Sequence, residues 1–183
     1  DKDKIRSMRR EGLEPLDFYG ISDKDPVAVF TNGPVYVGMQ VPKPPIGLKP
    51  GDTNQLYVGV TLSNKEGWQG RIDSLSELKI ELPKGITVDE DDGCTHIFKF
   101  KGVEDNYNVY YLDIDAERLS EPDKFTNIEK YQSFRCFLKV EDNQIDNILG
   151  NVPITIKFFR ASAKYIYSAQ KEMSIEIKAK EKP

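Results

Sequence analysis

The 183-residue sequence contains only one histidine, His96, and this scarcity removes most catalytic arrangements. No serine or aspartate pattern of a hydrolase surrounds His96, which stands in a strand-like run, so a structural or surface role is favoured. Neither G-x-G-x-x-G nor G-x-x-x-x-G-K occurs, which removes the glycine-rich phosphate loops of nucleotide enzymes. We therefore assign no catalytic residue and no cofactor, and we expect a protein that is not an enzyme.

The sequence also lacks a long apolar run and a basic face. No stretch of 18 apolar residues occurs, and 30 acids against 26 bases give a net charge of −4. A nucleic-acid binder usually clusters its bases on one face, so we expect no nucleic acid partner. The chain begins with Asp1 rather than methionine, which suggests the removal of a signal, an anchor or an expression tag. Membrane attachment is expected only through a segment upstream of Asp1.

Cysteine is scarce, because only Cys94 and Cys136 are present. Together with His96 they supply three soft ligands, one fewer than a structural zinc site needs. A disulfide between them would close a loop of about forty residues and contribute about 3 to 4 kcal/mol. Two free, buried cysteines are the alternative. We favour the disulfide, because both residues lie in strand-like surroundings and other features point outside the cytosol.

The densest acidic stretch is "VDEDDGC", which contains Asp89, Asp91 and Asp92. Calcium prefers six to eight oxygen ligands, and loops of this kind supply them in extracellular sandwiches. The spacing is not that of an EF-hand, since the twelfth position from Asp89 is Phe100. The three aspartates are therefore weak calcium candidates, a solvated turn is the favoured interpretation, and we expect no metal.

What the sequence does contain, from residue 25 onward, is a series of runs rich in Val, Ile, Tyr and Phe, most with an alternation of period two. Turn-forming stretches such as "TNGP", "PKPPIGLKPGD" and "LPKGI" separate them, and no helix of ten residues intervenes. This pattern predicts an all-β, antiparallel β-sandwich of about nine strands over residues 25–183, preceded by an N-terminal helical arm or linker over residues 1–24. The runs are "PVAVF", "PVYVGMQV", "QLYVGVTLS", "LKIELP", "HIFKFKG", "NVYYLDI", "SFRCFLKV", "ITIKFFRASAKYIYSA" and "MSIEIKAK".

The alternation assigns faces to the strands. One face is expected to be buried and the other wet, as packing of two antiparallel sheets requires. The C-terminal runs predict a final hairpin of residues 154–167 and 173–177, with Ile175 and Ile177 inward. Short helices are predicted from Asp115 and from Asn143, with these residues as caps. The expected core positions include Leu56, Val58, Val60, Leu62, Leu78, Ile80, Leu82, Phe134, Cys136, Leu138 and Val140.

Three stretches carry a family resemblance. "GPVYVGMQVP…LKPGDTNQLYVGVTLSN" resembles the opening strands of immunoglobulin-like β-sandwich modules in prokaryotic surface proteins, in which a "PGD" turn introduces an L-x-V-x-V strand. "LKIELPKGI" is similar to the "LPxGI" segment of these modules, and "FRCFLKV…ASAKYIYSAQKEMSIEIK" looks like the closing strands of secreted archaeal domains. The resemblance covers residues 26–179 and implies a cell-surface or secreted, immunoglobulin-like module, without a particular activity.

Aromatic residues are the candidates for recognition. Trp68, between Gly67 and Gly70, either caps the core or projects as a ligand platform. Tyr110 and Tyr165 belong to aromatic runs that could present rings to sugars or to a partner, because tyrosine combines contact area with a polar tip. The alternative is that these tyrosines simply cover a sheet face.

Three functions remain open from the sequence. The first is a non-enzymatic, extracytoplasmic interaction or structural module, the soluble part of a membrane-anchored or secreted surface protein, which binds a protein partner or itself on the cell surface. The second is a carbohydrate-binding or glycoside-active β-sandwich that uses Trp68 and the surface tyrosines. The third is a subunit of a surface filament assembled by strand pairing.

Overall fold

The computed structural model describes residues 2–21, 33–42, 46–48, 56–65, 69–90, 94, 97–114, 126–128, 131–140, 142–150 and 152–178. The described residues form two antiparallel sheets, which confirms the predicted all-β sandwich. Their strands are β1 (Val35–Gln40), β2 (Tyr57–Asn64), β3 (Gly70–Pro83), β4 (Ile86–Val88), β5 (Phe98–Glu104), β6 (Tyr107–Leu112), β7 (Thr126–Ile128), β8 (Tyr131–Val140) and β9 (Arg160–Ala169).

The first sheet has the strand order β1-β2-β8-β4. Strand β2 pairs with β1 on one side and with β8 on the other, with Val58 opposite Cys136. The short strand β4 then pairs with the other side of β8, where Val88 lies opposite Leu138. Strand β8 is therefore central, which explains why its inward residues are apolar.

The second sheet is built around β3, the longest described strand at 14 residues. Strand β9 pairs along one side of β3, whereas β6 and β7 pair with different parts of the other side, and β5 pairs with β6. The register between β3 and β9 shifts twice, between Ile72 and Ser74 and between Leu75 and Glu77. Such bulges increase the local twist of a sheet.

The chain passes from the second sheet to the first through the two-residue turn between β3 and β4. Gly85 in this turn has a φ of +93°, a conformation that side chains with a Cβ rarely adopt. The side-chain amide of buried Asn108 in β6 donates a hydrogen bond of 2.8 Å to the Ile86 carbonyl oxygen. Strand β6 of the second sheet is thus hydrogen-bonded to Ile86, the first residue of β4 in the first sheet.

The core lies between the sheets and follows the predicted alternation. The inward residues of β2, β3 and β8 are buried, whereas Lys79, Glu81 and Arg135 on the opposite faces are partly or fully exposed. Full burial of an aliphatic side chain contributes about 1.5 to 3 kcal/mol, so these rows dominate stability. The predicted core residues that are buried are Leu56, Val58, Val60, Leu62, Leu78, Ile80, Leu82, Phe134, Cys136 and Leu138, and Val140 is half-buried.

Helices are short and lie outside the sheets. Helix α1 (Lys2–Arg10) contacts α2 (Pro15–Phe18), and α3 (Ile145–Leu149) follows a 3-10 turn at Asp142–Gln144. The helix predicted from Asn143 is thus present, although its N-cap is Gln144, which makes no side-chain capping bond. The helix predicted from Asp115 and the strand predicted at residues 26–30 lie outside the described residues.

The predicted C-terminal hairpin is wrong in the structure. Strand β9 begins at Arg160, and residues 170–178 form no strand. Ile175 and Ile177, which were expected to point inward, are 72% and 90% exposed. Apolar and polar residues do alternate at residues 173–177, but no described strand pairs with the segment.

Candidate functional site

The disulfide is present and joins Cys94 to Cys136, which confirms the predicted pairing. Cys136 lies in the central strand β8, and Cys94 lies in the connection that leads from β4 in the first sheet to β5 in the second. Both residues are buried, and their Cα atoms are 5.4 Å apart, within the usual range for disulfides. The cross-link therefore anchors the connection between the sheets to the middle of the core.

Tyr110, a recognition candidate, occupies a structural position. Its side chain is only 5% exposed, and its hydroxyl oxygen accepts a hydrogen bond of 3.2 Å from the backbone N–H of Val88. Burial raises the pKa of Tyr110, and the hydrogen bond from Val88 opposes that shift. A ring in this position has no free face for stacking on a ligand, and together with Asn108 it ties β4 to β6.

Tyr165 lies on β9 opposite Leu75, half-buried and packed against the edge of the core. Gly33 lies close to the Tyr165 side chain, because a Cβ added at Gly33 would be only 3.2 Å from the Tyr165 hydroxyl oxygen. Trp68 lies outside the described residues. Of the two candidates that the structure describes, Tyr110 lies opposite Ile80 and Tyr165 opposite Leu75, at different places along β3, and carbohydrate recognition stays a prediction.

The acidic stretch offers little to a metal ion among the residues described. Asp89 is half-buried, and its backbone N–H donates a hydrogen bond of 2.9 Å to the Phe137 carbonyl oxygen. Asp91 and Asp92, as well as His96, lie outside the described residues. Within the described part of the chain, no group of three histidine, cysteine or acidic side chains is placed to hold a metal ion.

Charged side chains pair along the outer face of the second sheet. Lys164 Nζ lies 3.1 Å from Glu77 Oε2 across β3 and β9. The Ser168 hydroxyl donates a hydrogen bond to Asp73, and this bond, with help from Arg71, lowers the pKa of Asp73. A carboxylate held in its ionised form is poorly suited to donate a proton. These two contacts instead favour the observed register of β9 on β3. Because they lie on the exposed face of the sheet, they contribute little to the free energy of unfolding.

A cleft of about 540 Å³ opens on the second sheet, beside the part of β3 that lies between its pairings with β6 and β7. Lys99, Lys101, Tyr111 and Asp113 contribute to its polar lining. Two lysines suit an anion better than a cation. Ser74 and Ser76 of β3 also line the cleft, and no histidine or cysteine is among the described lining residues.

Many of the exposed apolar side chains lie toward the C-terminal end of the chain, where Ile175 and Ile177 were expected to be buried. We call residues 170–178 the C-terminal segment, and we call the side of β9 opposite to β3 the β9 edge. No described strand pairs with the β9 edge. Unpaired edges and exposed apolar residues are the usual marks of an interaction surface. The exposed apolar residues of this region are Val152, Ile156, Phe158, Ile166, Met173, Ile175 and Ile177.

Comparison with known proteins gives no relative. No protein-family model, no curated protein and no solved structure matches this chain. Among the residues that the structure describes, no helix is long and apolar enough to cross a membrane.

Proposed function

We propose that this chain is a non-enzymatic interaction or structural module that acts outside the cytosol, on a cell surface or in secreted form. The observations that carry the proposal are the exposed, alternating apolar residues of the C-terminal segment and the β9 edge, with which no described strand pairs. A soluble domain rarely leaves a contiguous set of large apolar side chains in water unless a partner covers them. The partner is a protein or a second copy of the chain.

The disulfide supports the extracytoplasmic part of the proposal. Cytosolic thiols are kept reduced, whereas secreted and surface proteins retain disulfides. Cys94 and Cys136 are both buried, so the bond between them serves to hold the sandwich together. An oxidising compartment would let this bond form during folding.

Labelling of intact cells that naturally produce the protein tests this location. A membrane-impermeant, amine-reactive reagent should label the chain before lysis, because exposed lysines such as Lys164 and Lys178 are accessible. Thiol alkylation under denaturing, non-reducing conditions should leave Cys94 and Cys136 unmodified. Labelling only after lysis, with both thiols alkylated, would reject the extracytoplasmic proposal.

We also propose that the sandwich is of the immunoglobulin-like type found in prokaryotic, archaeal-type surface proteins. The two antiparallel sheets and the passage of the chain from β3 into β4 are compatible with such a module. An experimental structure of the full chain would test this, since it would give the complete strand order. A strand order that does not follow the immunoglobulin-like arrangement would rule the assignment out.

A surface filament assembled by strand pairing is the second candidate, and the β9 edge favours it. If the C-terminal segment of each copy added to the next copy head to tail, the contacts would not close and a fibre would grow. Electron microscopy of concentrated protein distinguishes the candidates. Regular fibres would favour the filament, whereas discrete particles of fixed size would exclude it under those conditions.

A further inference from the structure

The C-terminal segment has the composition of a half-buried strand but lies in no sheet. Met173, Ile175 and Ile177 alternate with Ser174 and Glu176, and all five are exposed. Alternation of period two is typical of a strand with one buried face. The segment therefore has an apolar face that is exposed and pairs with no strand of the described part of the chain.

The β9 edge is a surface of the matching kind. Along β9, alternate residues point toward the core and are half-buried, among them Ala163, Tyr165 and Tyr167. Strand β1, at the margin of the first sheet, contacts β9, so this edge borders the open side of the sandwich. A strand added to the β9 edge would extend the second sheet and cover these tyrosines.

The connection between β9 and the C-terminal segment lacks the residues that a tight hairpin turn within the same chain would need. The connection between Ala169 and Met173 is Gln170-Lys171-Glu172, which contains no glycine, asparagine or aspartate. Tight hairpin loops need residues that accept positive φ. The β5–β6 hairpin meets this need, because Asp105 and Asn106 have φ values of +46° and +67°. Pairing with another copy requires no such turn.

We propose that residues 173–178 of one copy pair antiparallel with the β9 edge of a second copy, and that the exchange is reciprocal. This inference rests on the proposed function as an interaction module and names its partner. Because the same segment meets the same edge in both directions, the assembly closes as a two-fold dimer. Pairing through backbone hydrogen bonds is the usual mode of strand addition.

Charge favours one register for this pairing. With Ile175 opposite Tyr165, the segment places Met173 opposite Tyr167 and Ile177 opposite Ala163, all on the inward row. The same register places Glu176 opposite Lys164. Lys164 already pairs with Glu77 of β3, so it would stand between two carboxylates.

Sedimentation of the full chain over a wide concentration range tests the exchange. We expect a monomer–dimer equilibrium, and Ile175→Lys should raise the dimer dissociation constant about 100- to 10,000-fold, because it removes one buried apolar side chain from each of the two pairings. Ser174→Lys is the matched control, since it adds the same charge on the outward row and should change the constant much less. Equal effects of the two variants would overturn the proposed register.

Mixing of charge variants tests whether the pairing is between copies. Lys164→Glu and Glu176→Lys should each weaken the dimer, and an equimolar mixture should recover it, because both interfaces of the mixed dimer are then matched. The expected recovery is about 3- to 10-fold in the dissociation constant at low salt. Thermal unfolding of each variant checks that the fold is kept. No recovery on mixing would overturn exchange between copies.

A chain that remains monomeric at every concentration would also overturn the proposal. In such a monomer, protection of the β9 amides that point away from β3 would assign the β9 edge to a segment of the same chain, for example the strand predicted at residues 26–30. The outcomes are separable from the proposed function. A monomer that is labelled on intact cells rejects the exchange alone, whereas a dimer with reduced thiols inside cells rejects the extracytoplasmic proposal alone.

Discussion

Strand β8 and the C-terminal segment carry the same pattern and have opposite fates. In β8, Phe134, Cys136 and Leu138 are buried and alternate with exposed residues, whereas Ile175 and Ile177 alternate in the same way and are exposed. Strand β8 lies between β2 and β4, but no described strand flanks the C-terminal segment. Alternation thus identifies the face that a strand would bury, and the neighbouring strands decide whether it does so.

The largest expected effect comes from removing the disulfide that holds β8. The double variant Cys94→Ala/Cys136→Ala removes a cross-link between residues that are 42 positions apart. The unfolded chain then gains conformational entropy, so the free energy of unfolding should fall by about 4 kcal/mol. Denaturant unfolding monitored by circular dichroism measures this, and the variant should no longer respond to reductant. An unfolding midpoint of the native chain that is unchanged by reductant would contradict the structural role of the bond.

A matched pair of isoleucine substitutions compares the two regions directly. Ile80→Ala empties a fully buried site in β3 and should cost about 2 to 5 kcal/mol, whereas Ile177→Ala changes an exposed site and should cost less than about 0.5 kcal/mol. Both are measured by chemical denaturation at a concentration low enough for the monomer. Similar costs for the two variants would show that the C-terminal segment packs on its own sandwich.

A smaller effect is expected where β3 meets the end of β9, directly before the C-terminal segment. A Cβ at Gly70 would collide with the Ser168 carbonyl oxygen and would lie 2.8 Å from the Tyr167 ring. Gly70→Ala should therefore cost about 1 to 3 kcal/mol in thermal unfolding. Gly47→Ala, with nothing within 4 Å of the added Cβ, is the control and should be close to neutral. A neutral Gly70→Ala would mean that β9 does not hold this position.

The smallest effect concerns the hydroxyl of Tyr110. Tyr110→Phe removes the bond from Val88 and should cost about 1 kcal/mol at neutral pH. Burial raises the pKa of Tyr110 in the folded state, so the neutral form is favoured there. The stability that this contributes is complete below the unfolded pKa of about 10 and is lost as the pH rises through the folded value.

The cost of Tyr110→Phe should therefore shrink above pH 10, because the phenylalanine variant has no hydroxyl to ionise there. Urea unfolding of both proteins between pH 7 and about 11 measures the change, within the range in which tyrosine titrates. Tyr111→Phe, a change on the neighbouring half-buried residue, is the control for general alkaline effects. A cost that grows with pH would contradict burial of a neutral Tyr110.

The fold was largely predictable where strands are long and one-sided. The rows of β2 and β8 repeat every second residue, and their burial follows directly. Strands β4 and β7 were missed, because three residues are too few to show alternation. The start of β3 at Gly70 was missed as well, since its outward residues, such as Arg71 and Asp73, make the first half look like a loop.

The candidate site was less predictable, for reasons of turn chemistry and neighbourhood. The strand-like pattern of residues 173–177 was evident, but the lack of a turn-forming residue after Ala169 was the signal that its own hairpin would not close. Tyr110 lies in a strand whose consecutive residues Asn108, Val109 and Tyr110 are all buried, so alternation could not assign its face. Buried Asn108 carries no sequence signal, because its partner is a backbone carbonyl 22 residues away.

Amide hydrogen exchange of residues 173–178 at low and high protein concentration tests the central claim most directly. We expect fast exchange in dilute protein, where the segment is exposed, and slow exchange in concentrated protein, where it pairs with the β9 edge of another copy. Exchange that is equally fast at both concentrations would show that the segment never enters a sheet. Exchange that is equally slow at both would show that it pairs within its own chain.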